Sequence, residues 1–333
     1  MKINEIRTHD INTDIMRLIA SFFVVMIHIP SKNSAVGLMF NSISRFSVPV
    51  FVMISGYYIL KKDMGISAVL KKALSIFGFM VVWAAIYYVY ELICDTQQFS
   101  VGGCLKYLLT EPVHLWYFYA LITLYLFTPL LSLVYRYASQ QVYQYVLGLT
   151  FIFGSCFAIL LRIECFSILN TILEKMKFPY TLGFIFLYLL GGYIQKYSIN
   201  HRKIVYCLGI AASLLNALAA AFVMDYEIVS NVLFSFFFIG NIMAAFAFFL
   251  SLNSASFSYG RRVAGVIKKC AGATMGIYVI HPLIINIFAS NDFVAVLFAG
   301  NDLLIPVRAL FVYSIALICT LLIKCVPVLK RLV

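Results

Sequence analysis

The chain has 333 residues, of which 63% are hydrophobic and only 11% are charged. An ordinary soluble domain has about 45–50% apolar and about 25% charged residues, so this composition excludes a soluble enzyme, a disordered chain and a nucleic-acid-binding module. The net charge of +12 points instead to orientation in a bilayer, because Lys and Arg accumulate in the cytoplasmic loops of membrane proteins. We predict a single all-α integral membrane domain over residues 1–333.

Ten stretches are long and apolar enough to cross a bilayer, which takes about 20 helical residues. The first follows a polar segment and shows no small-residue cleavage site, so we expect it to be retained rather than removed as a signal peptide. The apolar runs are continuous and rarely alternate with period two, which favours helices over the strands of a membrane barrel. The predicted spans are residues 14–30, 41–60, 73–93, 114–135, 144–161, 179–195, 204–224, 231–252, 271–289 and 306–325.

The basic residues are distributed unequally between the two sides that these spans define. The side with both termini holds 17 Lys and Arg residues when Lys324 is counted with the carboxyl terminus, and the loops of the other side hold 5. This asymmetry predicts that both termini are cytoplasmic. Two groups of four residues contribute most, namely Lys61, Lys62, Lys71 and Lys72, and Arg261, Arg262, Lys268 and Lys269.

The eight cysteines form neither a CxxC pair nor a Cys/His pattern of metal ligands, so we predict no metal site. Most of them lie in or beside apolar segments, where Cys behaves as a small hydrophobic residue. A disulfide between Cys94 and Cys104 remains an open alternative.

The first predicted span carries an arginine and a histidine, which are costly inside a bilayer and are therefore candidates for function. Arg17 and His28 are 11 residues apart, so both are expected on one helical face, roughly 16 Å apart along the axis. Asp14 lies one turn before Arg17 and is expected to pair with it. The alternatives are an Arg17 that only snorkels to the headgroups and a His28 that only caps the helix or lies at the interface.

Further polar residues are predicted at a similar depth, near the ends of other spans. Arg45 begins the second span, His114 the fourth and Arg308 the tenth, while His281 lies in the outer half of the ninth. Together they indicate either a shared polar cavity or an interfacial belt, and Trp116 fits the belt.

The second span also contains residues that affect helix packing. Pro49 and Gly56 predict a kink or a close approach of another helix. Ser55 and Tyr57 are candidates for hydrogen bonds between helices, although a structural role is the alternative for both.

In their order along the chain, these segments resemble the membrane-bound acyltransferase 3 family, whose bacterial members O-acylate surface polysaccharides and related glycoconjugates. The pair Arg17-x10-His28 is similar to the signature of the family's first span. The resemblance covers nearly the whole chain. The other similar segments are Pro49 to Tyr57, His114 to Pro129, Gly191 to Tyr193, and Gly276 to Pro282.

The resemblance implies a multi-pass enzyme of a bacterial cytoplasmic membrane, most simply an O-acetyltransferase. Its co-substrate would be acyl-CoA, with no bound cofactor, and its acceptor a polysaccharide or a lipid-linked glycan. His28 would act as general base or as covalent acyl carrier, and Arg17 would orient the donor or hold the region of His28 through a chain of polar groups. The residues implied to assist or to bind substrate are Arg45, Ser55, Tyr57, His114, Trp116, His281 and Arg308.

Cytoplasmic basic residues suit the phosphates of coenzyme A. Lys71, Lys72, Arg261 and Arg262 are therefore candidates for donor contacts, and a role in topology alone is the alternative. Family members often have paired arginines where this chain has Lys71 and Lys72, and lysine lacks the planar guanidinium fork.

Two other classes of function remain open, a transporter or exporter of a polysaccharide or small solute, and a membrane scaffold. Glu91 is the only carboxylate candidate inside a predicted span interior. Because ion-coupled carriers usually keep acidic residues there, the transporter is disfavoured.

Overall fold

The computed structural model describes residues 3–31, 34–94, 96, 98–110, 115–156, 181–223, 229–290, 301–327 and 329–333. Within these ranges the chain is helical and contains no strand, as predicted. Short π or 3₁₀ turns occur at Ile152–Cys156, Val229–Leu233, Asp302–Leu304 and Leu329–Leu332. The α-helices are α1 (Ile3–His28), α2 (Ala35–Ser44), α3 (Ser47–Ile59), α4 (Ile66–Ile93), α5 (Val101–Thr110), α6 (Trp116–Tyr137), α7 (Gln140–Phe151), α8 (Thr181–Lys196), α9 (Arg202–Val223), α10 (Ile239–Asn253), α11 (Arg261–Ala271), α12 (Thr274–Ala289) and α13 (Ile305–Cys325).

The chain is a multi-pass membrane protein. Six helical segments among the described residues are long and apolar enough to cross a membrane, and a seventh results if α11 and α12, which meet at 55°, are counted as one span. Predicted spans 179–195 and 231–252 correspond to the shorter helices α8 and α10, and the span 144–161 lies only partly within the described residues. The count of ten therefore stays a prediction.

The structure adds detail to the predicted spans. The span 41–60 corresponds to one apolar helical segment, Ala35–Ile59, which is long enough to cross a membrane and in which a turn at Arg45 and Phe46 separates α2 from α3. Pro49 lies in the first turn of α3, where a missing N–H group costs nothing, so no kink results. Helix α4 already begins at Ile66, which places Lys71 and Lys72 on a helix instead of in a loop, and α5 lies in the predicted gap between residues 93 and 114.

Helices α3 and α8 pack unusually closely because each presents a glycine to the backbone of the other. A Cβ atom on Gly56 of α3 would lie 1.8 Å from the carbonyl oxygen of Tyr188, and one on Gly191 of α8 would lie 2.0 Å from that of Met53. Small residues at a membrane helix interface allow such an approach. The close helix contact predicted at Gly56 is thus confirmed.

Helix α1 lies between two hydrophobic clusters and contributes to both. Met16 and Ala20 belong to a cluster formed with α3, α6, α8 and α10. Val25 and Met26, farther along α1, belong to a cluster formed with α4, α6, α12 and α13. The helix that carries Arg17 and His28 therefore packs against neighbours from both clusters.

One end of the helix bundle, which we call the basic end, brings together segments that are distant in sequence. Arg136 Nη2 at the end of α6 donates to Asp63 Oδ1 after α3 (2.8 Å), and this hydrogen bond holds the pKa of the Asp63 carboxyl below its usual value. Lys324 Nζ near the end of α13 donates to the Gly272 carbonyl oxygen between α11 and α12. The opposite end, where α1 ends and α6 begins, is called the histidine end.

We expect Gly56→Ala and Gly191→Ala to destabilise the protein, because a methyl group at either position collides with backbone that cannot rotate away. Overpacking of this kind costs typically about 1–3 kcal/mol. The matched controls are Gly78→Ala in α4 and Gly148→Ala in α7, where a Cβ atom meets nothing within 4 Å. Thermal unfolding of the purified variants in detergent measures the effect, and equal melting temperatures for all four would contradict this packing.

Candidate functional site

A cavity of about 480 Å³ opens at the basic end and extends along α1. Its walls come from α1, α3, α4, α6 and α12, with the α11–α12 junction at the opening. On α1, the lining includes Arg17 near the opening and Val24 and Val25 at the far end. Eight residues of helix separate Arg17 from Val25, which gives the cavity a depth of about 12 Å along the helix axis.

The opening of the cavity is basic. Its lining includes the side chains of Arg17, Lys62 and Lys72. Arg17 Nη1 lies 3.3 Å from Asp14 Oδ1, which confirms the predicted pair, and 38% of the Arg17 side chain remains exposed. Three cations around one opening attract an anion more strongly than the single carboxylate of Asp14 repels it.

The four basic residues predicted to contact the donor do not share one location. Lys72 lines the cavity, but its neighbour Lys71 does not. Arg261 and Arg262 lie at the start of α11 and also lie outside the cavity lining, which that helix reaches only through Ala271 at its carboxyl end. Lys62, which was not chosen as a site residue from the sequence, takes their place at the opening.

Tyrosine side chains form much of the cavity wall. Tyr58, Tyr117, Tyr125 and Tyr278 line it together with Ser55. The rings of Tyr117 and Tyr278 meet edge to face, with their centroids 5.8 Å apart. These tyrosines give the cavity an aromatic inner wall with hydroxyl groups that can hydrogen-bond.

The second span supplied two polar candidates, Ser55 and Tyr57, and one of them lines the cavity. Ser55 lines it, although its Oγ atom donates to the Phe51 carbonyl oxygen (3.0 Å) within the same helix. Tyr57 is buried against Phe249, with ring centroids 5.7 Å apart, and does not line the cavity. The adjacent Tyr58 does, and its hydroxyl lies 2.7 Å from Thr13 Oγ1 of α1.

Two of the three predicted histidines are neighbours. The ring centroids of His28 and His281 are 5.2 Å apart, and the Tyr278 ring lies 6.2 Å from that of His281. His28 is accessible, whereas His281 is fully buried. The Nδ1 atom of His281 lies 3.0 Å from the Ile277 carbonyl oxygen. Because a carbonyl oxygen only accepts, Nδ1 donates, and a neutral His281 keeps its lone pair on Nε2.

The histidine pair adjoins the far end of the cavity. Val24 and Val25 line that end, and His28 follows them by one helical turn, a rise of about 5–6 Å. Tyr278, which also lines the cavity, precedes His281 by three residues on α12. Neither histidine lines the cavity itself, but each follows a lining residue by three positions on the same helix.

Arg45 and Trp116 both contact the ring of Phe236 at the histidine end. The Arg45 guanidinium lies over Phe234 and Phe236, at 4.6 and 5.5 Å from the ring centroids. The ring of Trp116 also stacks on the ring of Phe236, with the two ring centroids 5.4 Å apart. Cation–π and stacking contacts of this kind fix the orientation of both side chains.

Arg45 is also connected to the helix that carries His28. Its Nε atom donates to Asn41 Oδ1 (2.7 Å), and Asn41 Nδ2 donates to the Ile27 carbonyl oxygen (3.4 Å). Since Ile27 precedes His28, the junction between α2 and α3 holds Arg45 beside the end of α1.

The last two candidates are Arg308 and His114. Arg308 is buried in the first turns of α13, and its Nη2 atom donates to the Asn301 carbonyl oxygen (2.7 Å), outside the cavity lining. His114 lies outside the described residues. Tyr117 and Tyr278 were present in the motifs but not chosen, although the spacing of three residues between Tyr278 and His281 indicated a shared face.

Comparison with known families identifies one match. The model of the family described as "Acyltransferase domain", the acyltransferase 3 family, matches residues 10–325. This range includes the cavity, its basic opening and both neighbouring histidines. No curated protein and no solved structure matches the chain.

Proposed function

Because the chain belongs to the acyltransferase 3 family, we propose that it transfers an acyl group, most simply acetyl, from acyl-CoA to a hydroxyl group of a surface polysaccharide or of its lipid-linked precursor. A membrane acyltransferase needs an anion-attracting opening for the donor and a base next to the acyl group. The observation that carries the proposal is that a cavity with three cations at its opening extends along α1 to within one helical turn of His28, which adjoins His281.

The donor enters from the basic end. Lys62, Lys72 and Arg17 pair with the phosphates of coenzyme A, as charge-assisted hydrogen bonds favour. The pantetheine arm extends along α1 past Ser55 and Tyr117. Cavities of about 300–1,000 Å³ are typical of small-molecule sites, and a volume of about 480 Å³ suits this arm while the nucleotide stays at the opening.

The acceptor approaches from the histidine end. Sugar rings present C–H groups that pack against aromatic side chains, and the half-buried rings of Trp116 and Phe236, which stack on each other, leave ring edges for such contacts. Arg45, held over Phe236, adds a hydrogen-bond donor beside these rings. The accessible His28 lies between these rings and the cavity.

The reaction is a direct transfer. His28 takes the proton of the acceptor hydroxyl while the oxygen attacks the thioester carbonyl carbon. The carbon–sulfur bond breaks, and the imidazolium returns the proton to the departing thiolate of coenzyme A, so charge and atoms balance. His281, whose orientation is fixed by its bond to Ile277, positions His28 for this proton transfer. A covalent acyl-His28 intermediate is the two-step form of the same reaction.

Export of a polysaccharide or of a small solute is the competing function. Proton- or sodium-coupled carriers keep carboxylates in their transport path, but the cavity lining formed by the described residues contains neither Asp nor Glu. The lining therefore favours the transferase.

Replacing His28 tests the catalytic role. We expect His28→Ala to lower acyl transfer by about 10²–10⁴-fold, the usual contribution of a general base, while the protein still accumulates in the membrane. The measurement is acetyl-CoA-dependent labelling of a glycan acceptor together with release of the CoA thiol. His201→Asn is the matched control, because His201 is exposed at positive φ (54°) in a loop and Asn tolerates that conformation.

If His281→Ala were inactive while His28→Ala remained active, His281 would be the general base instead. Activity retained by both variants would exclude a histidine mechanism. Radiolabel bound to the protein without acceptor, and absent from His28→Ala, would identify the covalent route.

The neighbouring lysines of α4 provide a paired test of the donor site. We expect Lys72→Gln to raise the KM for acyl-CoA several-fold at low salt, since one contact of about 1 kcal/mol is lost, and the difference to shrink in high salt as charges are screened. Lys71→Gln, one residue away but outside the cavity lining, should change KM little. Equal effects of the two substitutions would argue against a donor site in this cavity.

We further propose ten membrane crossings with the basic end in the cytoplasm of a bacterial cell, which follows from the 17-to-5 distribution of Lys and Arg. The contacts of Asp63 with Arg136 and of Gly272 with Lys324 support it, because each joins two segments assigned to the same side.

Reporter fusions test this orientation. An alkaline phosphatase domain, which is active only outside the cytoplasm, should be inactive when fused after Gly260 and active when fused after Asn301. The reverse result would mean that the protein has the opposite orientation in the membrane, with the basic opening outside the cell.

A further inference from the structure

Helix α11 has three different faces, and only one of them contacts the protein. Successive residues are rotated by 100° around a helix. The least exposed residues are Ala264, Ile267 and Ala271, at spacings of three and four, and α11 packs against α1. This face attaches the helix to the bundle.

The second face is apolar but exposed. Val263 and Val266 leave 50% and 63% of their surface uncovered, and half-buried Cys270 lies between them around the helix. In a membrane protein, an exposed aliphatic face next to the packed face contacts lipid chains.

The third face is basic. Arg261, Arg262, Lys268 and Lys269 are all exposed, and the helix contains no acidic residue. None of the four lines the cavity, so donor binding does not account for them. Four cations on one short helix complement an anionic surface.

The direction of the helix agrees with this arrangement. Helix α11 makes an angle of 55° with α12, and the junction is held by the bond from Lys324 to the Gly272 carbonyl oxygen. A helix inclined to the spanning direction, with adjacent apolar and basic faces, lies in the plane of the membrane interface.

We propose that α11 is an interfacial helix that binds anionic phospholipid headgroups at the basic end through Arg261, Arg262, Lys268 and Lys269, with Val263 and Val266 between the lipid chains. Because Ala271 and Gly272 line the cavity opening, the bound lipids border that opening. The four cations also neutralise the headgroups there, which would otherwise repel an anionic substrate; only this last consequence rests on the proposed function.

The first test measures lipid binding by the purified full-length protein, delipidated in a neutral detergent. Phosphatidylglycerol or phosphatidylcholine is added, and bound lipid is counted by native mass spectrometry. The quadruple variant Arg261→Gln, Arg262→Gln, Lys268→Gln and Lys269→Gln should bind phosphatidylglycerol roughly tenfold more weakly than the wild type. Phosphatidylcholine binding should be weak and equal in both.

A control variant removes the same charge elsewhere at this end, through Lys61→Gln, Lys71→Gln, Arg202→Gln and Lys203→Gln. It should retain most phosphatidylglycerol binding, as should Arg261→Lys with Arg262→Lys, which keeps the charge. Equal losses in the two quadruple variants would mean a response to net charge alone and would overturn the proposal, as would unchanged binding by the α11 variant.

The second test does not depend on neutralising charges. A photoreactive benzophenone side chain at Val266 should form a phospholipid adduct in phosphatidylglycerol vesicles, whereas the same probe at Gly265, on the polar side and with open space around it, should form several-fold less. Equal adducts at the two positions, or none at Val266, would contradict the orientation of the helix. Neither test needs acyl-CoA, so a failure of the proposed enzymatic function would be seen separately.

Discussion

A guanidinium and an imidazole on one membrane helix must each find polar surroundings, because an unsolvated ionisable group in hydrocarbon costs several kcal/mol. Helix α1 meets this constraint in two ways. Arg17 pairs with Asp14 and keeps part of its side chain exposed at the cavity opening, while His28 lies at the end of the helix beside a second imidazole. The cavity extends along α1 from Arg17 to Val25.

Two junctions between consecutive helices place residues at the site. The α2–α3 junction holds Arg45 over Phe236, and the α11–α12 junction presents Gly272 to the cavity opening and to Lys324. The glycine contact between α3 and α8 fixes α3 against the bundle, so that Ser55 and Tyr58 face the cavity.

The sequence predicted the relations that lie within one helix and missed those that depend on helix rotation. Helical spacing was enough to pair Asp14 with Arg17, and the motifs were enough to choose His28 and His281. Tyr58 and Lys72 line the cavity whereas the predicted Tyr57 and Lys71 do not, because neighbouring residues of a helix point 100° apart. A span that is apolar on all sides carries no periodicity to show which of its faces meets the cavity. The contact between His28 and His281 joins α1 to α12, and no local pattern encodes it.

The order of side chains along the cavity limits what can be transferred. The aromatic wall of Tyr117 and Tyr278 stands beside the histidine pair; on the proposed function, the nucleotide of the donor would stay with the cations at the opening and only its thioester end would reach His28. On the proposed orientation, the acceptor never has to enter the cytoplasm, since His28 is accessible at the histidine end. On the proposed function, the separation of the donor phosphates from the base along α1 follows from the chemistry: the phosphates need cations and water, whereas the thioester needs a neutral imidazole beside it. One helix can supply both because its two ends lie in different environments.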